Sequence, residues 1–360
     1  MSHYYIGIMS GTSMDGIDIA LCEINQESCK LLAYEEYPFP SLLKEEILEI
    51  IGGLTSLQAI GTLHCKLGTL FADKVTQFLH AHKIDSSTIN AIGLHGQTLW
   101  HEPNAQFPFS MQLGDANVMV ARTGIKTVSD FRNADIANGG QGAPFAPVFH
   151  KFLFSHLAGK VGVLNIGGMA NLTLLSEKLE GWDTGCGNVL LDMWMQKTQG
   201  KSYDKDGEFA KSGKVDEDLL SKMLSDEYFT KLPPKSTGRE YFNETWFSNF
   251  LPIFNTINDE DIQRTLLELT AKSIAKDVNA SKLSQLILCG GGAKNAFLMQ
   301  RLKELCKCEI KHSEDFGVNS DALEAMAFAW FAYKRDMNEA VELSSVTGAK
   351  KESVLGAVYG

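Results

Sequence analysis

Basic residues are scarce. The 360-residue chain carries 33 lysines and arginines against 44 aspartates and glutamates, a formal net charge of −11. A nucleic-acid partner calls for a basic face, so none is expected here. Small anions are not excluded, because backbone amides hold a phosphate without any lysine. The seven cysteines, at 22, 29, 65, 186, 289, 306 and 308, are odd in number and make no disulfide framework. Cys306-Lys-Cys308 has no second pair at zinc spacing, which argues against a structural metal. No apolar run reaches the roughly 20 residues that a bilayer-spanning helix needs. No basic-then-apolar segment opens the chain, so neither a secretory signal nor a membrane partner is expected. These absences describe a reduced, soluble, cytoplasmic protein. With 44% hydrophobic residues, a chain this long has room for two domains, each with its own core.

What is present is a repeat. "GIMSGTSMDGID" from Gly7 and "GVLNIGGMANLT" from Gly162 align Gly7 with Gly162, Met14 with Met169 and Ile17 with Leu172. Each copy reads as strand, small-residue turn, strand, and internal duplication fixes the architecture before local detail. Strands over 4–9, 17–24 and 31–39 precede helical patterns over 41–51 and 57–82, then strands "AIGLHG", "FSMQLGD" and "KTVSDF". The second half repeats the order: strands over 160–166, 169–175 and 181–184 precede a helix over 188–196. A long helix over 261–278, strand "QLILC", helix 294–305, strand "CEIKH" and helix 321–333 follow. Three adjacent strands followed by alternating helices and strands, twice, predict two α/β domains with mixed sheets flanked by helices and a cleft between them. The glycine-rich "NADIANGGQGAP" marks the crossing, giving domains 1–140 and 141–340, with the tail 341–360 returning to the first. Over 202–255 the pattern weakens, and "PPKSTGREYFN" reads as a loop with a polar task.

The first turn has Walker-like glycines at Gly11 and Gly16, but Ile17 and Asp18 stand where a lysine and a hydroxyl are needed, and a strand follows instead of a helix. No dinucleotide fingerprint occurs either. A hairpin with exposed amides and the hydroxyls of Ser10, Thr12 and Ser13 remains, matched by Gly167 and Gly168 in the second copy. Two such hairpins can grip a polyphosphate from both sides; as single hairpins they are ordinary turns. Gly290-Gly291-Gly292, between a strand and a helix, either lets a ring or phosphate approach the backbone or simply makes a tight turn.

Phosphoryl transfer needs a group that orients and deprotonates a nucleophile, and Asp183 in "EGWDTGCGN" is the best candidate. It stands too far ahead of the next helix for an N-cap. Glu324 opens an apolar helix, where it serves a magnesium ion or the helix dipole. His95 and Gln97 of "HGQTLWHEP" suit sugar hydroxyls, with Trp100 as a stacking face; a zinc cluster and purely structural histidines are the other readings. Arg132, in a loop, is placed to clamp a substrate carboxylate or to make a surface or interdomain pair.

"MSGTSMDGID", "HGQTLWHEP", "DFRNADIANGGQGAP", "LNIGGMANLT", "WDTGCGN", "PPKSTGREYFN", "CGGGAKN" and "DALEAMAFAW" together resemble the motifs of the anhydro-N-acetylmuramic acid kinases, in order along the whole chain. That resemblance implies two ribonuclease-H-like domains of the actin and hexokinase type. It also implies a cytoplasmic enzyme of cell-wall recycling that uses ATP with Mg2+, and a homodimer. By the family's motif, Gly11, Thr12, Ser13, Met14, Asp15, Gly16, Ile17 and Asp18 cradle the ATP phosphates, and Asp183 is the catalytic base. Cys186 stands where the family usually has proline. The first strand lacks the aspartate that related sugar kinases place near magnesium, so the metal-ordering carboxylate stays open among Asp15, Asp18, Asp183 and Glu324. A hexokinase-type kinase acting on a free hydroxyl, and a nucleotide-gated binding protein of the actin or Hsp70 kind, are the alternative readings.

Overall fold

A computed structural model describes residues 3–53, 55–176, 178–233, 235–250 and 256–360. The chain divides into two units, Met1–Leu153 with Ala322–Gly360, and Phe154–Asp321. The first boundary thus falls at 153 instead of 140. The second falls at 321 instead of 340, because the helix Leu323–Asp336 packs on the first unit's sheet.

The first unit is built on strands β1 (His3–Met9), β2 (Gly16–Ile24), β3 (Cys29–Pro38) and β4 (Ala91–Leu94), with the hairpin β5 (Gln97–Glu102) and β6 (Phe109–Leu113) separate, and β7 (Thr127–Ser129). Its sheet runs β3-β2-β1-β4-β7 and ends on the C-terminal strand Ala357–Tyr359. β1 to β3 pair antiparallel, whereas β4 lies parallel to β1. Gly7 and Gly93 are partners across the β1–β4 pair. A Cβ on Gly7 would lie 1.8 Å from the Ala325 carbonyl oxygen, and one on Gly93 would lie 2.0 Å from that of Phe328. Two bare positions side by side therefore let the helix backbone touch the sheet. Ala325, Ala329 and Ala332 keep that contact close, while Met326, Phe331 and Tyr333 are buried around it. Burying each large side chain stabilises by about 1.5–3 kcal/mol, which holds a segment distant in sequence to the first unit.

The second unit repeats the plan with β8 (Val161–Ile166), β9 (Met169–Leu175), β10 (Glu180–Cys186), β11 (Gln285–Cys289) and β12 (Glu309–His312), in the order β10-β9-β8-β11-β12. Again three antiparallel strands come first, and β11 lies parallel to β8. Both units are therefore ribonuclease-H-like, and the repeat legible at Gly7 and Gly162 is a repeat of topology. The two glycines do different work: a Cβ on Gly162 would meet the Leu283 and Leu286 side chains. "QLILC" is the buried central strand its unbroken apolar run predicts. The helix Asp259–Ala280 covers the sheet with Leu266, Leu269 and Ile274. The weakly patterned 202–255 segment holds short helices at Glu208–Ser212, Glu217–Leu224, Glu227–Thr230 and Glu244–Ser248. Pro234 and residues 251–255 of that segment lie outside the described residues. Among the described residues no helix is long and apolar enough to cross a membrane.

Candidate functional site

In the first unit the turn between β1 and β2 is fixed from beneath. The Met14 amide donates to the Gly11 carbonyl at 3.1 Å, and Met14 takes a left-handed backbone that drives its side chain into the core. Ile17 is likewise a core side chain on β2. Met14 and Ile17 could therefore meet a phosphate only through their backbone, and the Met14 amide is already engaged. Ser10 Oγ donates to Gln97 Oε1 at 2.8 Å, and Gln97 Nε2 donates to the Gly11 carbonyl at 3.2 Å. Gln97 is buried, so the sugar contact expected of it is replaced by a place under the turn. The cation missing after the turn arrives from the helix Ser41–Gly52: Lys44 Nζ donates to the Ser13 carbonyl at 2.7 Å and lies 3.5 Å from Asp15. Lys44 thus gathers the turn's carbonyls on one side, and nothing in the spacing foretold it. A Cβ on Gly11 would make only an ordinary 3.6 Å contact with Ser13 Oγ, Gly16 has the Glu36 side chain at its Cβ position, and Thr12 is exposed. Asp18 accepts from Tyr34 Oη at 2.6 Å.

Arg132 lies not in a loop but in the helix Phe131–Ala137. Its Nε and Nη2 donate to His95 Nε2 at 3.2 and 2.9 Å, and its Nη1 donates to the Gly142 carbonyl at 2.7 Å. A guanidinium only donates, so His95 Nε2 accepts and the ring is neutral. Burial, then the Arg132 charge, holds its pKa well below the usual histidine range. Burial also lowers Arg132 to about 10, opposed by Glu324, so it stays cationic near neutrality. Glu324 is open to solvent, yet desolvation by the surrounding protein raises its carboxyl, with Arg132 opposing. His95, Arg132 and Glu324 are therefore one electrostatic group, next to His101, whose Nδ1 is 2.8 Å from Ser110 Oγ. Trp100 is half exposed, its Nε1 donating to Glu102. No group of three or more His, Cys, Asp or Glu suited to a metal occurs among the described residues, so the zinc reading of this segment lacks support.

In the second unit Asp183 sits on β10, where the register with β9 slips between Asp183 and Gly185. Its Oδ2 accepts from Ser236 Oγ and from the Thr237 amide, both at 2.9 Å. Oδ1 has no partner among the described residues. The Asp183 amide donates to the Lys235 carbonyl at 3.0 Å, and Tyr228 Oη donates to the Asp183 carbonyl at 2.8 Å. The helix Val189–Gln199 has Asn188 at its cap, which leaves Asp183 without a capping role. Desolvation raises the Asp183 carboxyl, the Thr237 and Ser236 hydrogen bonds pull it down, Glu240 pushes it up and Lys235 pulls it down. The holding loop is itself pinned by a buried ion pair, Lys235 Nζ to Asp277 Oδ2 at 3.2 Å, with Trp182 Nε1 donating to the same oxygen at 2.9 Å. Lys235, Ser236 and Thr237 come from the segment whose task spacing left unassigned. Cys186 is fully buried and its thiol is pushed up to about 12, which leaves it inert.

The β8–β9 turn engages its carbonyls inward: the Gly187 amide donates to Gly168 and the Asn188 amide to Gly167, each at 2.8 Å. The Gly167 amide donates to Met169, so this turn is not the fully open nest that two glycines suggest. In the third turn Gly290 and Gly292 are glycine for packing, since a Cβ would strike Asn165 Oδ1 at 2.2 Å and the Ile166 side chain at 2.3 Å. Gly291 alone has nothing within 4 Å of that position.

Residues 3–360 match the family described as anhydro-N-acetylmuramic acid kinase. A protein of that name from Sulfurimonas denitrificans is 54% identical over 367 residues, covering all of both chains. One from a Sulfurovum species is 54% identical, covering 99% of this chain and 98% of its own. The Pasteurella multocida protein is 47% identical, over 99% of this chain and 96% of its own. The chain belongs to the anhydro-N-acetylmuramic acid kinase family.

Proposed function

We propose that this family member is a cytoplasmic kinase of peptidoglycan recycling that uses ATP and water to open 1,6-anhydro-N-acetylmuramic acid, giving N-acetylmuramic acid 6-phosphate and ADP. The substrate's O6 is locked in the anhydro bridge and has no proton to lose, so a base acting on that oxygen would have nothing to remove. Asp183 instead takes a proton from water. The water oxygen bonds to C1, the C1–O6 bond breaks, O6 bonds to the γ-phosphorus, and the bond from that phosphorus to ADP breaks. Attack opposite the departing bridge oxygen O6 follows the geometry of an inverting glycosidase, with the phosphoryl group replacing the acid's proton. The observation that carries this reading is a half-buried carboxylate with one oxygen held by two donors and the other without a partner among the described residues. Such a group is oriented and raised in basicity at once.

The first turn from Gly11 to Asp18, the Gly167-Gly168 turn and Gly291 are the places assigned to ATP; Gly291 offers room for a ligand against the backbone. Mg2+ would arrive with the phosphates and offset their charge, held by one or two carboxylates among Asp15, Asp18, Asp183 and Glu324. Arg132 and Glu324 would bind the sugar, Arg132 at the lactyl carboxylate, with buried His95 holding the guanidinium in place instead of touching the sugar. The test is an incubation with ATP and the anhydro sugar. One ADP per sugar phosphate, and no steady ADP without the sugar, is the expected result; ADP release indifferent to the sugar would contradict it.

A further inference from the structure

Three residues after Ser236, the same loop carries Arg239. Its guanidinium lies over the β8–β9 turn: Nε and Nη2 are each 3.6 Å from where a Cβ of Gly168 would stand. Its backbone is fixed, since the Asn243 side chain donates to the Arg239 carbonyl at 3.2 Å. The Tyr241 and Phe242 amides close on Gly238 beside it at 3.1 Å, and Phe242 is fully buried. The head group itself makes no hydrogen bond or ion pair with any described residue, and the adjacent Glu240 carboxylate folds back toward Gly238. Arg239 is exposed and held by its backbone, and its fork, which no described residue engages, lies over a glycine turn assigned to phosphate, an arrangement open to an anion.

We infer that Arg239 is a catalytic residue for the phosphoryl step, a reading that rests on the function proposed above. As O6 bonds to the γ-phosphorus and the electron pair of the breaking bond goes to ADP, charge grows on the phosphoryl oxygens and the leaving oxygen. The guanidinium meets that charge while keeping all its protons, as a cationic finger supplied within the chain does in other phosphoryl transfers. The loop therefore serves both half-reactions: Ser236 and Thr237 aim the carboxylate that deprotonates water, and Arg239 meets the phosphoryl group.

The experiment compares Arg239→Ala and Arg239→Lys with the unaltered enzyme. Arg239→Ala is expected to lower kcat about 10²–10³-fold, the usual effect of losing one preorganised donor. The KM for ATP should stay within about threefold, guanidinium ion should restore part of the rate, and lysine should restore little. Binding of ADP with aluminium fluoride, read by calorimetry, should weaken in parallel while ADP alone binds unchanged. A kcat within a few-fold of normal, or a loss confined to KM, overturns the inference. If the unaltered enzyme phosphorylates a free-hydroxyl sugar and ignores the anhydro sugar, the proposed substrate fails separately, and the Arg239 comparison is decided on that other acceptor.

Discussion

Ser236 Oγ donates to Asp183 Oδ2 at 2.9 Å, while the other carboxylate oxygen has no partner among the described residues. This one contact links the loop that spacing could not interpret to the residue that the proposed chemistry most depends on.

Replacing Asp183 with asparagine keeps the shape and the acceptor for Ser236 and Thr237 but removes the base. Turnover should fall about 10²–10⁴-fold while ATP binding persists. The Asp183 pKa is raised in the folded chain, so its stabilising contribution exists below the unfolded pKa and is lost as pH rises through the folded one. Thermal unfolding at neutral pH should therefore show Asp183→Asn as no less stable than the unaltered protein. Normal turnover would remove Asp183 from the mechanism.

The pH profile should respond to the neighbours with opposite signs. A base must be ionised, so the acid limb of kcat/KM reflects the raised Asp183 value. Ser236→Ala removes a hydrogen bond that lowers it and should move that limb to higher pH. Glu240→Gln removes a charge that raises it and should move the limb lower. Profiles that coincide for all three proteins would mean that another group sets the limb.

The Lys235–Asp277 pair predicts a stability effect instead. Asp277→Ala leaves a buried ammonium uncompensated, which costs about 3–5 kcal/mol. Denaturant titration should show that loss, and a change below ~1 kcal/mol would mean that the pair is replaced by water.

The three glycines of the third turn should separate on a single methyl group. Gly292→Ala drives a Cβ into Ile166 and should destabilise by about 1–3 kcal/mol, as overpacking does. Gly291→Ala meets nothing within the chain, so its melting temperature should hold while the KM for ATP rises. Equal behaviour of the two variants would deny Gly291 a ligand role.

Hairpins and central strands were legible because a period of two, or an unbroken apolar run, states which faces are buried. The helix carrying Arg132 was not, since "FRNADIA" is only seven residues long and shows no apolar stripe. The Leu323–Asp336 helix was legible as a helix but not as part of the first unit. Its signal lay elsewhere, in Gly7 and Gly93 and the small residues that face them. Asp183 was read at a strand end but lies within β10, beside its register slip, because the strand runs on to Cys186. Lys44, Gln97, Lys235 and Ser236 act on other residues, and a one-dimensional pattern holds no distance between a side chain and the group it positions.

The central claim is that Asp183 directs water to C1 while O6 takes the phosphoryl group. Turnover of the anhydro sugar with ATP in oxygen-18 water, followed by mass analysis of the product before exchange at C1, tests it most directly. The account predicts one heavy oxygen on C1 and none in the phosphate ester. A product lacking label at C1, or carrying it in the phosphoryl group, would contradict it.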